Sequence, residues 1–350
     1  MIALDAADRL ALDWAAEHPW SGVVIWGEDV RSLAEVVRDD WPDAVVAMWN
    51  DFVGPDVPGV QSIEDAGAVD LVLLRLPKSL AALGDWTEAI RARFPDATLV
   101  AFGRLKHMTL SQNEVLRHHY ADLTVSHARQ KSRLLIASGP REVVPREPAV
   151  PLECDASAGA AEGLRVIALG GVFAGAALDI GTRVLLETLD ARLPEDAAGS
   201  DAIDLGCGSG IIAAWLARRG YRVRASDRSL AAVYSTRATA EASAVADRVD
   251  VHWEDALAGV APGTAELIVL NPPFHDQTRV TVDPAHRLFA AAARTLAPGG
   301  RLITVWNSHL RYREHLERVV GPTEQWTRTP KFTVTVSTRV ERNTSRQRTA

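Results

Sequence analysis

Short apolar runs alternate with helical stretches along most of this 350-residue chain, and this alternation is the feature that most limits its fold. A strand buried on both faces of a parallel sheet is apolar throughout, and parallel neighbours need a crossover helix between them. The pattern therefore predicts α/β sheets covered by helices. The apolar runs lie at 22–27, 44–49, 69–74 and 98–103, and then at 201–205, 221–225, 248–252, 267–270 and 301–306.

The two groups of strands are predicted to form separate domains, because the chain is longer than a single hydrophobic core usually supports. Prolines at positions 140, 145, 148 and 151, followed by a run of small residues, are typical of a linker. We expect a first domain at 1–139, the linker at 140–163, a second domain at 164–340 and a disordered tail at 341–350.

A glycine turn joins the first strand of the second half to an alanine-rich helix, in the order Asp204-Leu205-Gly206-Cys207-Gly208-Ser209-Gly210. Glycine is needed where φ is positive or where a ligand approaches the backbone. The third glycine of the dinucleotide pattern G-x-G-x-x-G would fall at Ile211, and no Gly-Lys-Ser/Thr of a P-loop follows. The turn is therefore predicted to bind a different cofactor. The candidate residues are Asp204, Gly206, Gly208 and Gly210.

Single acidic residues follow the next two strands of this half. Asp227 ends the second strand, where a carboxylate can accept hydrogen bonds from both hydroxyls of an adenosyl ribose. Asp255 follows the third strand, where it is expected to accept a hydrogen bond from an adenine amino group. An isolated acid in such a loop is more often simply solvated. The order of glycine turn, acid and acid at successive strand ends is much more specific.

The fourth strand, 267–270, ends at Asn271-Pro272-Pro273-Phe274, because neither proline can donate to a strand ladder. Open α/β sheets bind their ligands at this end of their strands. The loop offers an amide oxygen, backbone carbonyls and an aromatic face, which suit a planar group that carries an amine. Asn271, Pro272 and Phe274 are the predicted catalytic residues, and Asn271 is also expected to lie against the cofactor.

Residues 165–339 resemble a class I S-adenosylmethionine (SAM) methyltransferase. Within that class they resemble the bacterial ribosomal RNA guanine-N2 methyltransferases, which belong to the methyltransferase small domain family and have a duplicated fold. The resemblance is carried by 171–173, 178–186, the glycine turn and 271–275, and it extends upstream to 103–111 and 129–133.

The resemblance implies two tandem Rossmann-like methyltransferase domains, of which the first is degenerate and the second ends in an antiparallel hairpin at 324–328 and 332–338. The first half agrees, because Gly27-Glu28-Asp29-Val30 replaces the glycine turn and Arg75-Leu76-Pro77-Lys78 replaces the Asn-Pro-Pro-Phe loop. It also implies SAM as cofactor and the N2 amine of a guanine in ribosomal RNA as target. One departure affects the target-base loop, since 276–278 lack the expected glycine.

Two other functions remain compatible with the motifs. Asn-Pro-Pro-aromatic loops also serve methyltransferases that act on a protein glutamine or a DNA adenine, although Phe274 and the duplicated first half favour RNA. A SAM-dependent RNA-binding assembly factor with little turnover is the alternative from another class, and the intact Asn271 argues against it.

Contact with RNA must come from local patches, because the formal net charge is −7. Residues 101–135 carry a net charge of +4 and residues 326–350 carry +5. Either patch is as often a solvated face as a phosphate site. The predicted RNA-binding residues, all in the first patch, are Arg104, Lys106, Arg129, Lys131 and Arg133.

Composition predicts a cytoplasmic protein, and the resemblance implies ribosomal RNA or a ribosomal subunit as its partner. The chain has two cysteines, no signal-type N-terminus and no apolar run that is long enough to cross a bilayer. Histidines 107, 118, 119 and 127 lack metal-ligand spacing with cysteines or carboxylates, so no metal is expected. We further expect no membrane association, and a monomer.

Overall fold

The computed structural model describes residues 4–142, 149–172, 174–273 and 284–340. The chain divides into two compact units. The first contains Met1–Pro148 and Leu169–Gly171, and the second contains Ala149–Ala168 and Val172–Ala350. Each unit holds one large sheet with helices on both faces.

The first unit is built from alternating strands and helices and ends in two antiparallel strands. Its helices are α1 (Ala6–Ala15), α2 (Arg31–Asp40), α3 (Leu80–Arg93) and α4 (Leu110–His119). Its strands are β1 (Gly22–Gly27), β2 (Val45–Asn50), β3 (Gln61–Ser62), β4 (Leu71–Arg75), β5 (Thr98–Arg104), β6 (Tyr120–Val125) and β7 (Ser132–Pro140). A 3₁₀ turn at Leu105–His107 follows β5.

The second unit repeats this layout after a short two-stranded sheet. Its strands are β8 (Leu152–Glu153), β9 (Arg165–Val166), β10 (Asp201–Leu205), β11 (Arg222–Asp227), β12 (Val249–Trp253), β13 (Ala265–Leu270), β14 (Leu296–Asn307), β15 (Thr323–Arg328) and β16 (Phe332–Thr338). Its helices are α5 (Ile180–Arg192), α6 (Ile211–Arg218), α7 (Leu230–Ala242), α8 (Pro284–Thr295) and α9 (Arg313–Val319).

The two large sheets have the same strand order. The first runs β3-β2-β1-β4-β5-β7-β6 and the second runs β12-β11-β10-β13-β14-β16-β15. In each sheet five strands are parallel, and the next strand, β7 or β16, is antiparallel to both of its neighbours. By position, β1 corresponds to β10, β2 to β11 and β4 to β13. This confirms the predicted pair of Rossmann-like folds and the terminal hairpin predicted for the second of them, and it shows that the first sheet also ends in a hairpin.

Part of the segment 140–163, expected to be a linker, folds with the second unit. Strand β8 pairs with β9, and a 3₁₀ helix at Ala156–Ala161 lies between them. Cys154, Ala158 and Ala161 are buried in the same core as α5 and α6. The small side chains that were typical of a linker instead allow this segment to pack closely against the core of the second unit. The predicted disordered tail, 341–350, lies outside the described residues.

Candidate active site

The glycine turn lies between β10 and α6, and its three glycines have left-handed φ angles of 76° (Gly206), 55° (Gly208) and 82° (Gly210). A Cβ at Gly206 or Gly208 would meet no atom within 4 Å, whereas a Cβ at Gly210 would lie 2.8 Å from the Cα of Thr236. Gly210 is therefore needed for helix packing. Gly206 and Gly208 border open space, which leaves room for a ligand against the backbone.

The neighbouring strand holds this turn in place. The backbone N–H of Gly206 donates to the carbonyl of Ser226 at 2.8 Å, and the N–H of Gly208 donates to the Asp227 carboxylate at 3.1 Å. The other carboxylate oxygen of Asp227 accepts from the N–H of Ser229 at 2.9 Å. Because each carboxylate oxygen can accept more than one hydrogen bond, Asp227 supports the turn and keeps acceptor capacity for a ribose hydroxyl.

Asp204 was predicted to bind the cofactor, but its side chain is completely buried. Neither carboxylate oxygen has a hydrogen bond of ordinary geometry in the described part of the chain. Burial raises the pKa of Asp204 to about 7, with a smaller contribution from Asp227, while the backbone N–H of Ala213 acts in the opposite direction. Its position supports an indirect role beneath the glycine turn.

The raised pKa of Asp204 has a consequence for stability. An unfolded-state pKa near 3.8 and a folded-state pKa near 7 mean that the folded form retains a proton which the unfolded chain releases in this window. As the pH rises from about 3.8 to about 7, the free energy of unfolding of the wild type should therefore fall by about 1.4 kcal/mol per pH unit relative to that of Asp204→Asn. Above this window the difference between the two proteins should not change further. Urea unfolding of both proteins from pH 4 to pH 8 measures the difference. A difference independent of pH contradicts the assignment.

Trp253 and Asp255 lie at the end of β12. Trp253 is paired in register with Asp227, is 40% exposed and donates its indole N–H to the carbonyl of Arg228 at 2.8 Å. Trp253 was not among the predicted site residues, although it offers a flat apolar surface beside the predicted ribose site. Asp255 forms an exposed ion pair with Arg287 of α8, so one of its oxygens is already engaged.

Asn271 follows β13 and is held by the first turn of α5. Its amide Nδ2 donates to the hydroxyl of Thr182 at 2.9 Å and approaches the carboxylate of Asp179 at 3.5 Å. Its Oδ1 is buried and has no hydrogen-bond partner among the described residues. Pro272 is buried beside it, whereas Phe274, the third predicted catalytic residue, lies outside the described residues. Asp179 and Thr182 were not among the predicted site residues, although both lie in the motif 178–186.

The corresponding positions of the first unit lack the groups that are predicted to bind ligands in the second. Asn50 ends β2 where Asp227 ends β11, and its Oδ1 accepts from the N–H of Val30 at 2.7 Å. At the end of β4, Arg75 binds the Asp8 carboxylate at 2.6 Å and the carbonyl of Asp29. The strand-end acid is thus replaced by an amide bonded to backbone, and an ion pair lies where the second unit has Asn271. This confirms that the first domain is degenerate.

The structure brings the two predicted RNA-binding segments of the first unit together. Gly103 and Arg104 pair with Arg133 and Ser132, and the N–H of Leu105 donates to the carbonyl of Lys131 at 2.9 Å. Lys106 and Lys131 are exposed, and Arg104 and Arg133 are half-buried. Arg129 forms an exposed ion pair with Asp13 at 2.8 Å and is partly neutralised.

Comparison with known proteins accounts for both units. A family model described as "Methyltransferase small domain" matches residues 163–336, and one described as "RLMG N-terminal domain" matches residues 47–141. The protein named ribosomal RNA large subunit methyltransferase G from Streptomyces coelicolor is 34% identical over 355 residues, which covers 95% of this chain and 93% of that protein. The chain belongs to the ribosomal RNA large subunit methyltransferase G family.

Another member of the methyltransferase G family, from Pseudomonas entomophila, is 33% identical over 95% of this chain and 92% of its own length. The T. thermophilus 16S rRNA N2 G1207 methyltransferase (RsmC), solved in complex with AdoMet and guanosine, has a TM-score of 0.77. It covers 96% of this chain and 92% of its own, and at 24% identity it shows the shared fold. Family membership confirms the prediction of a SAM-dependent ribosomal RNA methyltransferase.

Within residues 4–142, 149–172, 174–273 and 284–340, no helix is both long enough and apolar enough to cross a membrane. These ranges also contain no group of three or more His, Cys, Asp or Glu side chains that could hold a metal ion.

Proposed function

We propose that this protein transfers a methyl group from SAM to the exocyclic N2 amine of a guanine in large-subunit ribosomal RNA. The observation that carries the proposal is the Asn271 side chain, whose buried Oδ1 has no donor among the described residues while its Nδ2 is engaged. A buried acceptor without a partner costs about 1–3 kcal/mol, which an amine N–H would relieve. The names of the relatives indicate large-subunit RNA, and the cytoplasm is where such RNA is modified.

The second domain has a site that fits SAM. The space beside Gly206 and Gly208 suits an extended ligand against the backbone, the Asp227 carboxylate suits the ribose, and Trp253 gives the adenine a flat neighbour. Asp255 keeps an oxygen for the adenine amine despite its pairing with Arg287. When bound, SAM supplies an activated methyl group on a sulfonium sulfur.

The residues around Asn271 act on the target amine. The lone pair of an aryl amine is delocalised into the ring, so the amine is a weak nucleophile. Oδ1 of Asn271 and the backbone carbonyl of Pro272 are proposed to accept hydrogen bonds from the two N–H groups of the target amine. These contacts would direct the lone pair of the amine out of the base plane. Phe274 is proposed to stack on the base. Positioning of this kind needs no strong general base.

A methylation assay tests the proposed target. Large-subunit RNA from a strain that lacks the gene is incubated with the purified protein and labelled SAM, and the modified nucleosides are identified by mass spectrometry. One N2-methylguanosine per RNA supports the proposal. If the RNA stays unlabelled, the same reaction is run with ribosomal protein or DNA in its place, and label in protein glutamine or DNA adenine would favour the other amine substrates. SAM binding without transfer to any of them would favour an assembly factor.

We also propose that the first domain holds the RNA substrate through Arg104, Lys106, Arg129, Lys131 and Arg133. Two lines of support are the convergence of both segments on one edge of the sheet and the exposure of Lys106 and Lys131. The turn between β6 and β7 has left-handed φ angles at Gln130 (49°) and Lys131 (58°). Such angles are unfavourable for residues other than glycine, and unfavourable backbone is most often retained where it presents a functional group.

Replacing Lys106 and Lys131 by alanine tests this clamp. The slope of log affinity for RNA against log salt should become shallower by about 1.4, since each phosphate contact on a single strand contributes about 0.7. The measurement is RNA affinity from low to high salt. The matched control is the double variant Arg222→Ala and Arg248→Ala. These two exposed cations lie in the second domain, at the amino-terminal ends of β11 and β12. Equal slopes for wild type and the lysine variant would leave the first domain a structural role only.

A further inference from the structure

A short hydrogen-bond relay connects the N-terminus of α5 to Asn271. The Asp179 carboxylate caps the helix, with Oδ1 accepting from the N–H of Gly181 at 2.8 Å and from the N–H of Thr182 at 3.2 Å. Its other oxygen, Oδ2, accepts a hydrogen bond from the hydroxyl of Thr182. The Thr182 hydroxyl in turn lies 2.9 Å from Nδ2 of Asn271.

The direction of this relay is fixed by proton counting. A carboxylate can only accept hydrogen bonds, so the Thr182 hydroxyl uses its single proton to donate to Asp179. The hydroxyl oxygen can then only accept from Asn271, which requires the NH₂ end of the amide to face Thr182. The carbonyl end, Oδ1, must therefore face away, where it has no partner among the described residues. The opposite orientation of the amide would bring two acceptors together.

We propose that Asp179 and Thr182 are positioning residues that lock the Asn271 amide with its oxygen towards the target and thereby select an amine over a carbonyl. This inference rests on the proposed function. With Oδ1 alone presented, the site accepts N–H groups and disfavours the carbonyl oxygen of a base, which would meet a second acceptor. Thr182 and Asp179 need not touch the substrate, because they act through Asn271.

Two substitutions separate this role from the capping of α5. Thr182→Val preserves the shape of the side chain and removes the hydroxyl, and Thr182→Ser restores it. Asp179→Asn keeps a good helix cap. Because the cap needs an oxygen at the helix N–H groups, the NH₂ of the new asparagine at position 179 would face Thr182 and donate to its hydroxyl oxygen. The Thr182 hydroxyl would then donate to Oδ1 of Asn271, which turns the NH₂ of Asn271 towards the target.

The first readout is binding selectivity, measured with S-adenosylhomocysteine present so that no transfer occurs. Guanosine is compared with inosine, which lacks the N2 amine. The wild type should prefer guanosine by about tenfold, the gain from one satisfied buried acceptor. Thr182→Val and Asp179→Asn should lose this preference, and Thr182→Ser should retain it. SAM affinity should change by no more than about threefold in all of them, because none of these groups is assigned to the cofactor.

The second readout is the single-turnover rate of transfer to large-subunit RNA. It should fall by roughly 10–100-fold in Thr182→Val and at least as far in Asp179→Asn, as expected when an interaction made in the transition state is lost. Thr188→Val is the matched control, since Thr188 is a buried threonine of the same helix whose hydroxyl is bonded to Val184 and Thr327. Its rate and its nucleoside preference should remain those of the wild type.

The outcomes distinguish this inference from the proposed function. Equal affinity of the wild type for guanosine and inosine would refute the amine target and this inference together. A wild-type preference that persists in Thr182→Val and Asp179→Asn would refute only the positioning role. A thermal unfolding midpoint of Asp179→Asn close to that of the wild type shows that any change in preference does not arise from a lost cap.

Discussion

Substitution of Asn271 by alanine should reduce methyl transfer by at least about 100-fold while leaving SAM affinity within a few-fold of the wild type. The side chain is assigned to the target half of the site, because its Nδ2 is bonded to Thr182 and its Oδ1, which has no partner in the described part of the chain, is assigned to the incoming amine. Its loss should therefore appear in the chemical step. Single-turnover transfer to large-subunit RNA, together with calorimetric titration of SAM, measures the two effects separately.

Asn113→Ala is a suitable control, since Asn113 lies on α4 of the first domain, belongs to none of the cofactor or target-loop motifs and is not among the five predicted RNA-binding residues. Its transfer rate should match that of the wild type. The proposed mechanism is wrong if Asn271→Ala transfers methyl groups at the wild-type rate. It also requires revision if SAM affinity falls in parallel with the rate, because Asn271 would then belong to the cofactor site.

Asp227→Ala should weaken SAM binding by about 1–3 kcal/mol for the lost charged hydrogen bonds alone. The structure adds a second loss, because the same carboxylate anchors the N–H groups of Gly208 and Ser229. Calorimetry should also give one SAM per chain, since Asn50 stands at the corresponding position of the first domain. Two sites per chain, or unchanged affinity in the variant, would be inconsistent with this assignment.

Asp201→Ala provides the comparison for charge. Asp201 begins β10, so it lies at the amino-terminal ends of the strands, whereas Asp227 ends β11. There it forms an exposed ion pair with Arg222. Exposed pairs of this kind contribute little to stability. The variant should bind SAM as the wild type does, so any loss specific to Asp227→Ala reflects its place beside the glycine turn.

The strands were predictable where apolar runs end at clear turn residues. The runs expected at 22–27 and 332–338 coincide with β1 and β16. The hairpin of β6 and β7 was not predicted, because its turn residues, Gln130 and Lys131, carry no glycine or asparagine signal for positive φ. Strand β8 and strand β9 have two residues each, too few to produce a periodic pattern.

The site was predictable only as a set of strand ends. A parallel sheet brings the carboxyl ends of its strands to one edge, so motif order alone placed Asp227 and Asn271 there. The partner of each side chain depends on tertiary packing. Thr182 and Asn271 are 89 positions apart, and the burial that removes Asp204 from the ligand side arises only when α6 and its neighbours pack.

The shared strand order of the two domains has a consequence for biosynthesis. Two sheets with the same topology in one chain carry a risk that a strand inserts into the wrong sheet, a known failure of repeated domains. Here every strand of the first sheet ends by Pro140, and the first strand of the second large sheet starts only at Asp201. The first sheet can therefore close while its competitor is still inside the ribosome, so the order of synthesis itself keeps the duplicated halves apart.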